Sequence, residues 1–356
     1  MSKVHYYVDF HVLQTVPPSC VNRDDTGSPK TAQYGGVTRA RVSSQAWKHA
    51  MRLMFKEIFE PEVLGSRTKR AVDLVAKKLE EIDPGCKAQA MAKKALENAG
   101  LKLKKEDDST EALFFLSDAQ AEALAKLAAA GEEEKQRYKE ALKEQPSVDM
   151  ALFGRMVASD PSLNYDAAAQ VAHAISTHAV QNEYDYFTAV DDEAPEDNAG
   201  AGHLGTVEFN SSTLYRYATI NLGELAKHLG EDTARTVSCF GRAFAMTMPT
   251  GKKNTFANNT VPALVYVTIR EDQPVNLAGA FEEPVWSDHG YVKASVKKLS
   301  EYAEKTYEEF TGEPLLALVC GGGEEAKDLG EKMPLPKLLN QLEEKTKELL
   351  GKTEEV

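Results

Sequence analysis

The sequence holds only four cysteines in 356 residues, Cys20, Cys86, Cys239 and Cys320, and no CxxC pair. That argues against a zinc site or a disulfide framework and leaves four small buried hydrophobes. No apolar run approaches the length of a membrane span, and the opening MSKVHYYVDFHV lacks an apolar signal core. A cytoplasmic protein without membrane contact is expected. The K/R-G-F/Y-G/A-F-V-x-F/Y signature of an ordinary RNA recognition motif (RRM) is missing, so base stacking on a sheet face is not expected. GxxxxGK[ST] is missing too. Gly321-Gly322-Gly323 follows an apolar strand and precedes a helix, but Glu324 and Glu325 would repel phosphate, which argues against nucleotide binding. Positive charge is also scarce: 42 Lys and Arg face 55 Asp and Glu, for a net charge of −13. Such a chain does not coat nucleic acid indiscriminately, although it can bind along one groove.

Residues 17–52 reverse that sign. They hold Arg23, Lys30, Arg39, Arg41, Lys48 and Arg52 against Asp24 and Asp25, a local net of +4 where the rest sums to −17. Ser43 and Ser44 are good N-caps, because a hydroxyl accepts the free amides of a first helical turn. Beyond them Trp47, Ala50, Met51, Met54, Phe55 and Ile58 recur at helical spacing, with Gln45, Lys48, Arg52 and Lys56 on the wet side. Free amides, a positive helix end, two upstream arginines and a lysine one turn in suit phosphate. Gly35-Gly36 lets the backbone pass close to a ligand. Lys48, Arg52 and Lys56 alone would read as an ordinary solvated face; with the four loop cations they read as a phosphate-contacting surface.

Along the chain, 4–13 alternates as a half-buried strand, with Tyr6, Val8, Phe10 and Val12 inward and Tyr7, Asp9 and His11 outward. Strand, basic loop and amphipathic helix make a ferredoxin-like (RRM-type) opening. Helices rich in Ala, Lys, Glu and Leu are predicted over 66–82, 87–99, 118–130 and 132–144. A further helix over 164–180 carries His173 and His178, about 140° apart and therefore structural rather than a shared metal face. Residues 184–222 offer two β-prone arms around an acidic Pro/Gly tip, a protruding hairpin. Helices at 222–229 and 231–247, a strand at 263–269, a helix at 290–311, a strand at 315–320 and a helix at 335–350 complete the chain. The acid-free loop 249–260 makes Lys252 and Lys253 candidate backbone contacts.

The runs 19–25 (SCVNRDD), 35–45 (GGVTRARVSSQ) and 48–52 (KHAMR) resemble the start of the CasC family, the repeated backbone subunits of the type I-E CRISPR surveillance complex Cascade. Residues 147–156 (SVDMALFGRM) and 184–192 (YDYFTAVDD) match in the same order. The resemblance spans nearly the whole chain and is weakest in 61–145 and after about 270. It implies an α+β fold: a modified RRM/ferredoxin-like palm, a large helical insertion (fingers) and a β-hairpin-like thumb. The segments would be palm at 1–60, fingers at 61–145, palm and loop at 146–183, thumb at 184–222 and palm again at 223–356. Read alone, Met156 belongs in a core and Phe187 equally in a core or at a tip. The resemblance implies that Met156 on a Gly-Arg-Met tip, with Tyr186, Phe187, Thr188 and Val190 of the thumb, wedges against bases at regular intervals. Unstacking costs a few kcal/mol, and aromatic stacking returns roughly 1–3 kcal/mol per base without regard to sequence.

The expected function is non-enzymatic binding of CRISPR guide RNA, without cofactor or metal. Arg23, Lys30, Arg39, Arg41, Ser43, Gln45, Lys48 and Arg52 would hold the sugar-phosphate backbone, and RNA–DNA pairing would read the target strand. Asp191 and Asp192 would meet a neighbour's cations. The resemblance also implies head-to-tail copies of the chain, an open filament capped by other Cascade subunits. Two rivals remain: a metal-dependent ribonuclease using Asp24, Asp25, Asp191 and Asp192 to cut bound target RNA, and a scaffold that binds no RNA.

Overall fold

The structure is a computed structural model that describes residues 5–157, 159–189 and 203–354. The order begins with β1 (Tyr7–Ser19), β2 (Thr31–Tyr34), β3 (Val37–Val42), α1 (Ser44–Ile58), β4 (Gly65–Thr68), α2 (Ala71–Ile82) and α3 (Ala88–Asn98). Then come β5 (Phe114–Ser117), α4 (Asp118–Ala129), α5 (Lys135–Ala141), α6 (Val148–Phe153), β6 (Ala169–Val171), β7 (Ala174–Ser176), β8 (Glu183–Ala189) and β9 (His203–Asn221). The chain continues through α7 (Leu222–Leu229), α8 (Thr233–Met246), α9 (Lys253–Phe256), β10 (Leu264–Arg270), α10 (Val292–Thr306), β11 (Leu316–Gly321), β12 (Glu331–Lys332) and α11 (Leu335–Glu354). This mixed α+β content matches expectation. It divides into two compact units: 1–51 with 171–219 and 240–356, and 52–170 with 220–239. The second is wider than the insertion expected at 61–145.

The first unit is built on a large sheet, ordered β12-β11-β10-β1-β9-β7-β3-β2, with β6 and β8 also paired to β9. β1 runs antiparallel to β10 from Tyr7↔Arg270 to Leu13↔Leu264. Its expected wet face is a correction: Asp9 and His11 are as buried as Val8 and Phe10. The cause is aromatic cover from strands far along the chain. Tyr217 donates its hydroxyl to Asp9 Oδ1 at 2.8 Å, the Val275 amide donates to Oδ2 at 2.9 Å, and His11 Nδ1 meets the Tyr215 hydroxyl at 2.9 Å. On the other face Phe10 packs against Phe240 and Phe244, 5.4 and 6.2 Å between ring centroids.

A second correction falls at 164–180, where the structure has strands β6 and β7 and no helix. The Ala-rich segment favours a helix, but backbone pairing with β3 and β9 outweighs that weak preference. His178 is structural, as expected: Nδ1 lies 2.8 Å from the Ala179 carbonyl, and Nε2 accepts the Thr213 amide at 3.1 Å. After Gly323 a single 3₁₀ turn, Glu324–Ala326, stands where a helix was expected.

The second unit packs α2, α3, α4 and α5 around Val75, Leu79, Leu96, Leu124 and Tyr138. Helices α2 to α5 fall where periodicity placed them. The short antiparallel pair β4–β5 was not foreseen, because four-residue strands leave little pattern. Ser117 starts α4 with a capping box: its hydroxyl accepts the Gln120 amide, and the Gln120 side chain reaches back.

Candidate nucleic-acid interface

In the first unit, the loop after β1 is clamped to the start of α1. The Asn22 side chain accepts the Ser43 amide at 2.9 Å, and the Ser43 hydroxyl accepts the Ala46 amide at 3.3 Å, the cap its sequence position implied. Main-chain bonds from Lys30 to Asn22 (2.8 Å) and from Arg41 to Lys30 (2.9 Å) lay the loop against β3. Lys30 and Arg41 therefore line one small recess with Asn22, Asn210 and Ser212. Arg41 donates to the Thr31 carbonyl at 3.2 Å and to His173 Nδ1 at 3.2 Å. Burial, with Arg41 and Lys30 nearby, lowers the His173 pKa. Nothing in the sequence marked Asn210 or Ser212, and His173 reads there only as a structural histidine on a helix; sheet pairing brings them here.

Arg23 and Gln45 are exposed, and Lys48 is half-buried with its pKa lowered by that burial. Lys252 joins the same side. A Cβ on Gly251 would stand 2.1 Å from the Val21 carbonyl oxygen, so only glycine lets that loop press against the chain before Arg23. Lys252 follows at φ +50° and Lys253 is exposed. Both Arg23 and Lys252 act on Cys20, whose thiol burial pushes up and these cations pull down. Sequence separation of more than 200 residues hides this grouping, although the acid-free loop 249–260 marked Lys252 and Lys253 as candidates.

Arg39 is the main correction among the expected phosphate contacts. It is 0 % exposed, and its guanidinium donates to the carbonyls of Tyr34 (3.1 Å), Ser176 (3.1 Å), Phe281 (2.8 Å) and Glu282 (3.2 Å). It ties the β2–β3 turn, β7 and the 277–282 segment together. Gly35 makes that closure possible, because a Cβ there would collide with the Glu282 carbonyl. Arg52, expected on the wet side of α1, belongs to the second unit and is also engaged. It pairs with Asp149 at 2.8 Å, donates to the Gly65 carbonyl at 3.2 Å and lies over the Phe115 ring at 4.6 Å.

Met156 is 81 % exposed in the second unit, not in its core. Gly154, at φ +74°, turns the chain so that Arg155 points inward and Met156 outward. The expected cation at that tip is a correction: Arg155 is buried, donating to the Leu163, Phe115 and Leu142 carbonyls and to Gln120 at 2.7–3.2 Å. Burial pulls its pKa down to about 10, so it stays charged at neutral pH.

The hairpin is formed as expected by β8 and β9, in the register Tyr184↔Glu208, Tyr186↔Thr206 and Phe187↔Gly205. Phe187 is 39 % exposed, its ring lying over Gly205, where a Cβ would stand 2.4 Å from the ring. Tyr186 and Thr188 are exposed. Val190, Asp191 and Asp192 lie outside the described residues. Of the other acids, Asp24 is taken up by its own turn, its Oδ1 accepting from the Thr26 amide (2.9 Å), the Thr26 hydroxyl (2.7 Å) and the Ser28 amide (3.0 Å). Among the described residues, no three His, Cys, Asp or Glu side chains are grouped to hold a metal. No described helix is long and apolar enough to cross a membrane.

Solved structures share this combination of a large sheet, a helical unit and a long hairpin over nearly the whole chain. A chain of a "CRISPR RNA-guided surveillance complex, pre-nicking" is 35% identical with TM-score 0.85, the match covering 96% of this chain and 100% of that one. A chain of a "CRISPR RNA-guided surveillance complex" is 30% identical with TM-score 0.64, over 95% of this chain and 99% of that one. Residues 8–345 match the family described as CT1975-like protein, and the chain belongs to that family. No curated protein matches it.

Proposed function

We propose that this chain is a CasC-type backbone subunit of a type I-E surveillance complex. It binds CRISPR guide RNA in the cytoplasm, polymerises along the spacer and holds it for pairing with target DNA, without catalysing a reaction. The observation that carries this reading is that Lys30 and Arg41 share one recess, and Arg23 and Lys252 flank Cys20, on one unit of a chain with net charge −13. A polyanion gathers on such a ledge and is repelled elsewhere. The exposed rings of β8 supply sequence-tolerant stacking, which suits a protein that must accept any guide.

The test is co-expression with a CRISPR array and the other subunits. Particles carrying processed RNA are expected. Lys30→Ala, Arg41→Ala and Lys252→Ala should each weaken binding alike across guide sequences, and each lost contact should flatten the slope of log K against log salt by about 0.7. An RNA-free parent, or three variants with the parental slope, would refute the reading.

A further inference from the structure

Helix α10 carries its charges in the order its own dipole opposes. Its N-terminal half holds Lys293, Lys297 and Lys298. Its C-terminal end holds Glu301, Glu304 and a single cation, Lys305, with Glu308, Glu309 and Glu313 just beyond. Anions favour a helix N-terminus and cations a C-terminus, so this arrangement weakens the isolated helix. The lysines' partners within the chain are surface acids, Glu325 (3.1 Å), Glu301 (3.7 Å) and Glu283 (3.1 Å), and such pairs add little.

The two ends also differ in shape. Beside the N-terminal end opens a cavity of about 710 Å³, with Val16, Pro17, Tyr291, Val292 and Val296 among its walls. The Tyr291 ring is stacked 3.6 Å from that of His178, which makes this wall rigid. At the far end α10 runs into a π turn, Tyr307–Thr311, where Phe310 stands 78 % exposed. That turn is pinned: Arg270, gripped by Asp272 at 2.7 Å, donates to the carbonyls of Thr311 (2.9 Å) and Gly312 (3.0 Å). The Tyr307 hydroxyl meets that of Tyr266 at 3.1 Å. Phe310 is thus a large ring held in water on a fixed mount. A helix of 15 residues separates this knob from the cavity by roughly 22 Å, so a copy cannot fill its own cavity.

We propose that a second copy of this chain fills it. Phe310 of one copy seats in the cavity beside the next copy's Val292, which sets Glu308 and Glu309 against that copy's Lys293 and Lys297. The contact joins two different surfaces, so each copy can receive one neighbour and enter another, and it gives the proposed filament a specific joint. Trp286 is 83 % exposed but only three residues from His289 at the cavity; a contact through it alone is self-complementary and stops at a dimer.

The experiment compares Glu308→Lys/Glu309→Lys, Lys293→Glu/Lys297→Glu, the chain carrying all four changes, and Phe310→Ala. Copies per guide RNA are counted by native mass spectrometry, and self-association without RNA is followed by sedimentation. Each double reversal should weaken self-association about tenfold. The fourfold chain should recover it, and Phe310→Ala should lose it while melting like the parent. Reversals that assemble like the parent, or a stably folded fourfold chain that does not recover, would overturn the joint. Binding to an RNA long enough for one copy separates the two proposals: loss there speaks against the guide-RNA reading, whereas sedimentation reads the joint alone.

Discussion

Replacing Arg39 separates a structural arginine from a phosphate-binding one. Arg39→Met keeps much of the stem but removes four hydrogen bonds to the carbonyls of Tyr34, Ser176, Phe281 and Glu282. Bonds from a charged donor contribute about 1.5–3 kcal/mol each, and burying the cation offsets part of that. A net loss of about 3–5 kcal/mol follows, by analogy with the breaking of a buried charged pair. At roughly 2–4 °C per kcal/mol, the melting midpoint should drop by roughly 6–20 °C. Arg39→Lys should fall between, since one ammonium cannot reproduce the planar fork. The assay is thermal unfolding followed by fluorescence, paired with RNA binding across salt concentrations at a temperature where the variants stay folded. Arg41→Ala is the control: little change in melting, a flatter salt slope. An Arg39→Met chain that melts like the parent yet loses about 0.7 from its salt slope would refute this assignment.

Arg155 and Met156 are neighbours with opposite expected outcomes. Arg155→Ala should destabilise by about 3–5 kcal/mol in urea titration, because it removes four buried hydrogen bonds from a charged donor and leaves a cavity, whereas Met156→Ala should stay within about 0.5 kcal/mol. Equal stability of the two variants would contradict the inward and outward placement. Asp9 should make stability pH-dependent. Burial raises its pKa from 3.8 to about 6, so the folded chain holds that proton more tightly than the unfolded one. The resulting stabilisation is fully present below pH 3.8 and is lost as pH rises through about 6, a change of about 3 kcal/mol. Asp9→Asn cannot ionise and keeps an acceptor for the Val275 amide, so its stability relative to the parent should climb between pH 4 and 7. A flat difference across that range in denaturant titrations would contradict the buried acid.

The parts of the fold that were legible in the sequence are those set by near neighbours. Helix α1, its Ser43 cap and its Trp47–Ala50–Met51–Phe55 stripe depend on residues within a few turns, and so do the helices of the second unit and the two arms of the hairpin. What covers a side chain from a distance left no local mark. Arg39 and Arg41 lie two apart on β3, yet only Arg39 meets Phe281 and Glu282, which arrive some 240 residues later. Asp9 and His11 look like a wet face until Tyr215 and Tyr217 close over them. The strands at 169–171 and 174–176 lost their helical signature for the same reason, since they exist only as partners of β3 and β9. Charge reversal in 17–52 located the ledge, but only the folded chain shows which of its cations face solvent.

The discontinuity of the first unit bears on how this protein is made. Its first strand pairs with β9 and β10, and it emerges from the ribosome long before either. Until β9 has been translated β1 has both edges unpaired, and the edge that β10 covers stays open until the C-terminal third is made, a state inclined to aggregate. The Lys252 side of the ledge is also still unmade at that stage. On the proposed function, a truncated product would lack part of its phosphate-binding surface as well as the strand that closes its sheet.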